Sequence, residues 1–274
     1  PARTGCRLCG ACLAGCAYGA KNSLDQNYLY LAERLGAQIL PERKATLIRP
    51  LPGGGYEVET SDPFTGQSCP ALQAKKLVLA AGVLGTLELL LRCRDEFQTL
   101  PGLSPTLGKL VRTNSEAITG VLKRDRSADL TGGPAISSHF YPNDHTHVTQ
   151  NRLPPSYSFM QLYAGPLVDG AEPFKRALKT LMRFPAHMLR WLSAAPWTGW
   201  YRRITLISTM QQLDNQLSFE LKRGLTGFGL QSAAAEGRSA PTYIPEANRA
   251  AAEFARQIDG VPTNAVLESV LNMS

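Results

Sequence analysis

The 274-residue sequence has no uninterrupted apolar run of about 18 residues, which argues against a membrane-spanning helix. It opens on Pro1 with neither a Met nor a charged-then-apolar stretch, so no signal peptide is visible and a start inside a longer protein is expected. Internal repeats and low-complexity tracts are absent, which excludes solenoids and biased linkers. No strand pattern is followed by Gly-x-Gly-x-x-Gly, the loop that holds a pyrophosphate in dinucleotide folds; Gly224-x-x-Gly227-x-Gly229 reverses that spacing in the wrong context. Acidic residues are missing between Pro173 and Leu206, where Lys175, Arg176, Lys179, Arg183, Arg190, Arg202 and Arg203 equal the whole net charge of +7. No nucleic-acid recognition motif accompanies that charge, so nucleic acid is not expected as a partner. What remains, 43% hydrophobic and 19% charged, is enough for one large or two modest globular cores.

Asn22-Ser23-Leu24-Asp25-Gln26 carries a capping-box pattern. Leu24, Tyr28, Leu31, Ala32 and Leu35 then recur at helical spacing before Gly36, predicting a helix with one face on a core. Residues 45–49 and 56–60 flank Pro50-Leu51-Pro52-Gly53-Gly54-Gly55 and predict a hairpin. The apolar run 75–81 reads as a strand buried on both faces, running through Gly82-Val83-Leu84-Gly85 into a helix over 86–94. Composition changes near Asn114, where a domain boundary is expected. Beyond it, 203–210 and 217–221 read as two strands of a separate sheet, joined by a turn at Leu213-Asp214-Asn215. Residues 247–258 predict an alanine-rich helix, and another is expected from Val266.

Cys6-x2-Cys9-x2-Cys12-x3-Cys16 has the spacing of a bacterial ferredoxin loop, with Gly5, Gly10 and Gly15 allowing tight turns. Three readings share the pattern: a [4Fe-4S] cluster held by Cys6, Cys9, Cys12 and Cys16, a packed or disulfide-forming loop, or zinc. Ala17 stands where the ferredoxin run has proline, and there is one such run only.

The stretch Cys9-Gly10-Ala11-Cys12 through Asn27-Tyr28-Leu29 resembles a loop and helix of the glucose-methanol-choline (GMC) oxidoreductases, and within them of the cholesterol-oxidase-like branch. Leu79-Ala80-Ala81-Gly82-Val83-Leu84-Gly85-Thr86 resembles the second signature of that family, where a strand delivers a glycine turn and helix beside the adenosine half of FAD. Gly102-Leu103-Ser104, Val111-Arg112-Thr113-Asn114-Ser115 and Tyr243-Ile244-Pro245-Glu246-Ala247-Asn248 continue the likeness in order.

The resemblance implies an α/β fold with an α+β substrate part. A partial, Rossmann-like FAD-binding domain is expected over 1–114 and a sheet-based substrate domain over 115–274, leading toward a missing C-terminal segment. It also implies FAD contact at Ala45, Ala81, Gly82 and Asn114. The implied activity is oxidation of a CH–OH group in a hydrophobic alcohol by hydride transfer to flavin, with the electron acceptor open. The family's histidine base falls beyond Ser274, so no catalytic residue is assigned to this chain. The competing class is an iron-sulfur electron-transfer or cluster-binding protein centred on the cysteine loop.

His139, His145 and His147 beside Asp144 read as polar loop contacts more readily than as metal ligands, because Tyr141-Pro142-Asn143 is turn chemistry. His187 reads as a helix or interface residue. Trp191, Trp197 and Trp200 share the basic segment with Phe174, Phe184 and Tyr201. That mixture suits either an interfacial helix on an anionic membrane or a solvated basic face over buried aromatics. A cytoplasmic or membrane-peripheral location follows.

Overall fold

The computed structural model describes residues 4–194, 199–224, 227–233 and 241–266. Trp197 and the helix expected beyond Val266 lie outside them. Along the chain run α1 (Tyr28–Arg34), β1 (Lys44–Pro50), β2 (Tyr56–Ser61), β3 (Ser68–Ala74), α2 (Gly82–Leu91), β4 (Val111–Arg112) and β5 (Glu116–Lys123). Next come β6 (Ile136–Asn143), β7 (Thr146–Asn151), β8 (Ala164–Pro166), α3 (Pro173–Ala194), α4 (Trp200–Arg203) and β9 (Ile204–Gln211). β10 (Gln216–Gly224), β11 (Gly227–Ala233), α5 (Pro245–Gln257) and β12 (Gly260–Ala265) complete the order. Helix and strand are mixed, as the α/β expectation requires.

Two compact units result. One comprises Pro1–Asn27, Asn114–Leu213 and Pro241–Ser274; the other comprises Tyr28–Thr113 and Asp214–Ala240. The chain therefore changes unit at Asn114 and also after Asn27, Leu213 and Ala240, so neither unit is one continuous stretch.

The first unit is built on an antiparallel sheet in the order β6-β7-β9-β5-β12-β8. Neighbouring residues of a strand point to opposite faces, and Val121 and Leu122 show what that does here. Val121 joins Val148, Ile207, Ala251 and Ala255 in the core under α5, whereas Leu122 joins Leu153, Trp191, Trp200, Ile204 and Val261 on the other side. Helix α5 fits closely because Ala247, Ala251 and Ala255, one helical turn apart, form its buried stripe. Its start is set by Pro245 in the first turn, where the missing N–H costs nothing.

Helix α3 is fastened from its inner face. The Arg176 guanidinium donates to the carbonyls of Gly170 and Thr242, at 3.3 and 2.7 Å, and Trp191 enters the Leu122 core. His187 is buried on the same face; burial first, then the Arg190 charge, pushes its pKa down to about 4. The unfolded chain binds a proton at this histidine below its ordinary value while the folded chain does not. The stability involved is thus complete above about pH 6.5 and is lost as the pH falls toward about 4. Melting temperature should drop between about pH 7 and about pH 5, and the drop should be smaller in His187→Gln. Parallel pH curves for the two proteins would refute this account.

The second unit holds the sheets β1-β2-β3 and β11-β10-β4. Leu47 and Ile48 of β1 pack against Leu89 of α2 and the buried Cys93. The hairpin of β1 and β2 forms as expected.

Three local expectations need correction. Residues 75–81 form no strand, and Val78 is 87% exposed. A central strand needs ladder partners along both edges as well as packed layers over both faces, and no described residue pairs with this run. Helix α1 starts only at Tyr28, and Tyr28, Leu31 and Leu35 are exposed, since no described core cluster lies against that face. Ser23 makes no cap bond; its hydroxyl and the Gln26 amide instead hold the Asp25 carboxyl below its ordinary pKa. Finally, β9 and β10 are not strands of one sheet. Both sides of β9 are taken by β5 and β7, leaving no edge for β10, which pairs with β11 and β4.

Candidate functional site

In the first unit the cysteine loop is tied down by its backbone. Gly10 N donates to Gly133 O and Gly133 N to Leu8 O, each at 2.8 Å, around a parallel bridge between Cys9 and Gly133. Gly10 has φ +68°, and a Cβ there would lie 2.6 Å from Thr131 O, so only glycine fits. Cys12–Ala14 then forms a 3-10 turn. The loop borders a cleft of about 580 Å³ together with Asp129, Thr131, Tyr201 and Arg202.

Nothing in this arrangement supports the cluster that the spacing suggested. Cys6, Cys9, Cys12 and Cys16 are all free thiols, and among the described residues no three His, Cys, Asp or Glu come together as a metal ion would need. Cys16 is set apart by the amides of Tyr18, Ala20 and Lys21, which lower its pKa from the ordinary thiol value; Ala20 N lies 3.3 Å from its sulfur.

In the second unit, Ala45 and Ala81 are brought into one cleft of about 430 Å³, shared with Arg43, Lys44, Thr46 and Gly85. β1 reaches it through a register shift between Ala45 and Leu47, an irregularity of the kind that re-aims a strand beside a site. Thr46 donates to Glu59 O at 3.2 Å and so steadies the bulge. From the other side, Ala81 leads into α2 without a side-chain cap, leaving the first-turn amides open to an anionic or polar group. Gly82 opens the helix at φ +71°, and no atom lies within 4 Å of where its Cβ would be. Backbone can be approached closely here. The wall offered is the small side chains and backbone of Ala45, Ala81 and Gly85 beside apolar Leu89 and Phe97, with Arg43 and Lys44 as cations and Glu88 as the one carboxylate, a lining that can take the adenosine side of a dinucleotide. Arg92, also lining the cleft, bonds Glu96 at 2.8 Å and is committed to that pair.

Of the four residues expected at FAD, Ala45, Ala81 and Gly82 thus lie in the second unit. Asn114 belongs to the first, where its amide donates to Glu116 at 2.6 Å. The histidines flank the β6–β7 turn: His139 and His147 rings are 5.3 Å apart, Tyr141 stacks on His147 at 4.9 Å, and His145 N donates to the Asn143 side chain. One polar cluster was not anticipated. Asp169 accepts from Tyr243 at 2.6 Å and from Asn248 at 2.9 Å, which lowers the Asp169 pKa; burial first, then the bond to Asp169, raises that of Tyr243. The run from Tyr243 to Asn248 supplies two of its members, but Asp169 is distant in sequence and carries no local signal.

Residues 2–93 match the model of the family described as GMC oxidoreductase. The chain is 38% identical to cholesterol oxidase from two strains of Mycobacterium tuberculosis over 273 residues, covering 95% of this chain and 46% of the relative. It is 32% identical to cholesterol oxidase from Acinetobacter baumannii over 281 residues, covering 100% of this chain and 50% of the relative. The chain therefore spans about half the length of the curated relatives it matches.

Proposed function

We propose, from the premise that the chain belongs to the GMC oxidoreductase family, that it serves an FAD-dependent oxidation of a hydrophobic alcohol, sterol-like or long-chain. The observation that carries this reading is the meeting of Ala45 and Ala81 in one cleft beside the uncapped start of α2. Two alanines leave the wall free for a flat ring, the open amides favour negatively charged or polar atoms, and Arg43 and Lys44 add positive potential, while the one carboxylate of the lining, Glu88, lies 3.8 Å from Arg92. When bound, FAD supplies the two-electron acceptor for hydride leaving the alcohol carbon, and dioxygen or another acceptor takes the electrons onward. The part of these residues is to bind and orient; the general base is not assigned to this chain. The relatives are named cholesterol oxidases, which favours a sterol-like hydroxyl. An alcohol of that kind dissolves in a bilayer rather than in water, so peripheral contact with an anionic membrane accompanies the reading.

The test is flavin content. Protein expressed from its whole gene should purify with FAD, and Ala81→Glu should lower the flavin-to-protein ratio about tenfold or more by filling the cleft and placing a carboxylate against it. Colourless wild-type protein that takes up no FAD would overturn the oxidoreductase reading. An unchanged ratio in the variant would overturn the cleft.

A further inference from the structure

Helix α3 turns its apolar residues to solvent. Phe174, Leu178, Leu181, Met182, Leu189 and Leu192 recur at the three- and four-residue spacing of one helix face. All six are exposed, Phe174 at 80% and Leu181 and Leu189 at 71% each. The opposite face, with Arg176, Thr180, His187 and Trp191, is the buried one. Lys175 and Lys179 are exposed on the flank between the two, with Arg183 and Arg190 further round. Lys175 pairs with Glu172, and Lys179 and Arg183 lie near Asp169, but from Pro173 to Leu206 the sequence holds no acidic residue, so positive charge is in excess along the helix.

An apolar stripe of this extent is unfavourable in water and marks a contact surface. The flank decides which contact. Lysine and uniform charge are depleted at the core of protein interfaces, whereas a phosphate-bearing headgroup plane lying above acyl chains offers both environments at the spacing an in-plane helix needs. We infer that α3 is a docking helix for an anionic lipid surface. Its stripe sits at the acyl boundary, its lysines lie at the headgroups, and Arg176, His187 and Trp191 hold it to the protein. It lies on the membrane and does not cross it: no described helix is long and apolar enough to span.

Sedimentation of the full chain with vesicles of phosphatidylcholine alone, or mixed with phosphatidylglycerol, tests this. The chain should bind the anionic vesicles roughly tenfold or more tightly than the neutral ones, and added salt should weaken binding. Leu181→Glu/Leu189→Glu and, separately, Lys175→Glu/Lys179→Glu should each lose about tenfold or more. Because all four side chains are exposed and the contacts of Lys175 and Lys179 are surface ones that add little stability, both variants should still unfold in one cooperative transition within a few degrees of the wild type, which separates lost binding from lost folding. Equal recovery with neutral and anionic vesicles, or full binding by Leu181→Glu/Leu189→Glu, would overturn the assignment. The assay contains neither flavin nor alcohol, so its failure leaves the oxidoreductase reading standing, and a failed flavin test leaves this one standing.

Discussion

Replacing Trp191 by alanine should remove about 3–5 kcal/mol from the stability of the unit that carries α3. The outer face of that helix cannot hold it down, since its apolar residues point away from the sheet. On the inner face Arg176, Thr180 and His187 are polar, so the large apolar burial comes from Trp191, seated with Leu122, Leu153, Trp200, Ile204 and Val261. Truncation loses the transfer free energy of an indole and leaves a cavity the surrounding strands cannot collapse into. Helix propensity offers little compensation, because Pro185 interrupts the hydrogen-bond ladder midway. Urea unfolding measures the effect. A loss below about 1 kcal/mol would mean that the indole is not a core residue.

Arg203→Met should cost about 3 kcal/mol or more, for a different reason. Arg203 is only 2% exposed and its guanidinium donates to three backbone carbonyls, those of Lys123, Arg124 and Asp125, at 2.6, 3.3 and 3.2 Å. Burial first, then Arg126, lowers its pKa, yet the site pays that desolvation through the carbonyls it satisfies. Methionine keeps the stem and removes the donors, so the loss combines the stranded carbonyls with the space the buried guanidinium leaves. Arg203→Lys should recover only part, because an ammonium cannot span the same fork of acceptors. If Met were as stable as Arg in urea, the carbonyls would have to be satisfied in some other way.

How far the sequence could be read varies with the range of the interaction. The hairpin of β1 and β2 and the helix α5 follow from patterns complete within a dozen residues. The four cysteines illustrate the opposite case: their spacing was legible, but the loop's backbone partner is Gly133, far along the chain, which exchanges hydrogen bonds with Gly10 and Leu8 and carries no local signal. Residues 75–81 have the composition of a central strand, yet a strand is made by its neighbours, and none of the described residues pairs with them. The same holds for β9 and β10, which read as two strands of one sheet joined by a turn until both edges of β9 are found occupied.

The absent acidic residues between Pro173 and Leu206 were settled by the sequence alone, as were the mixed fold class, the likeness to GMC oxidoreductases and the glycine turn at Gly82. Amino-acid order carries such features directly, because charge, periodicity and local backbone freedom are properties of neighbours in the chain. Which side of α3 is buried was decided only by tertiary structure. Periodicity shows that a helix has two faces, but an apolar face is normally the inner one. Here it was the seating of Trp191, the buried Arg176 and the neutral His187 against their own unit that turned the leucines outward and left the stripe facing solvent.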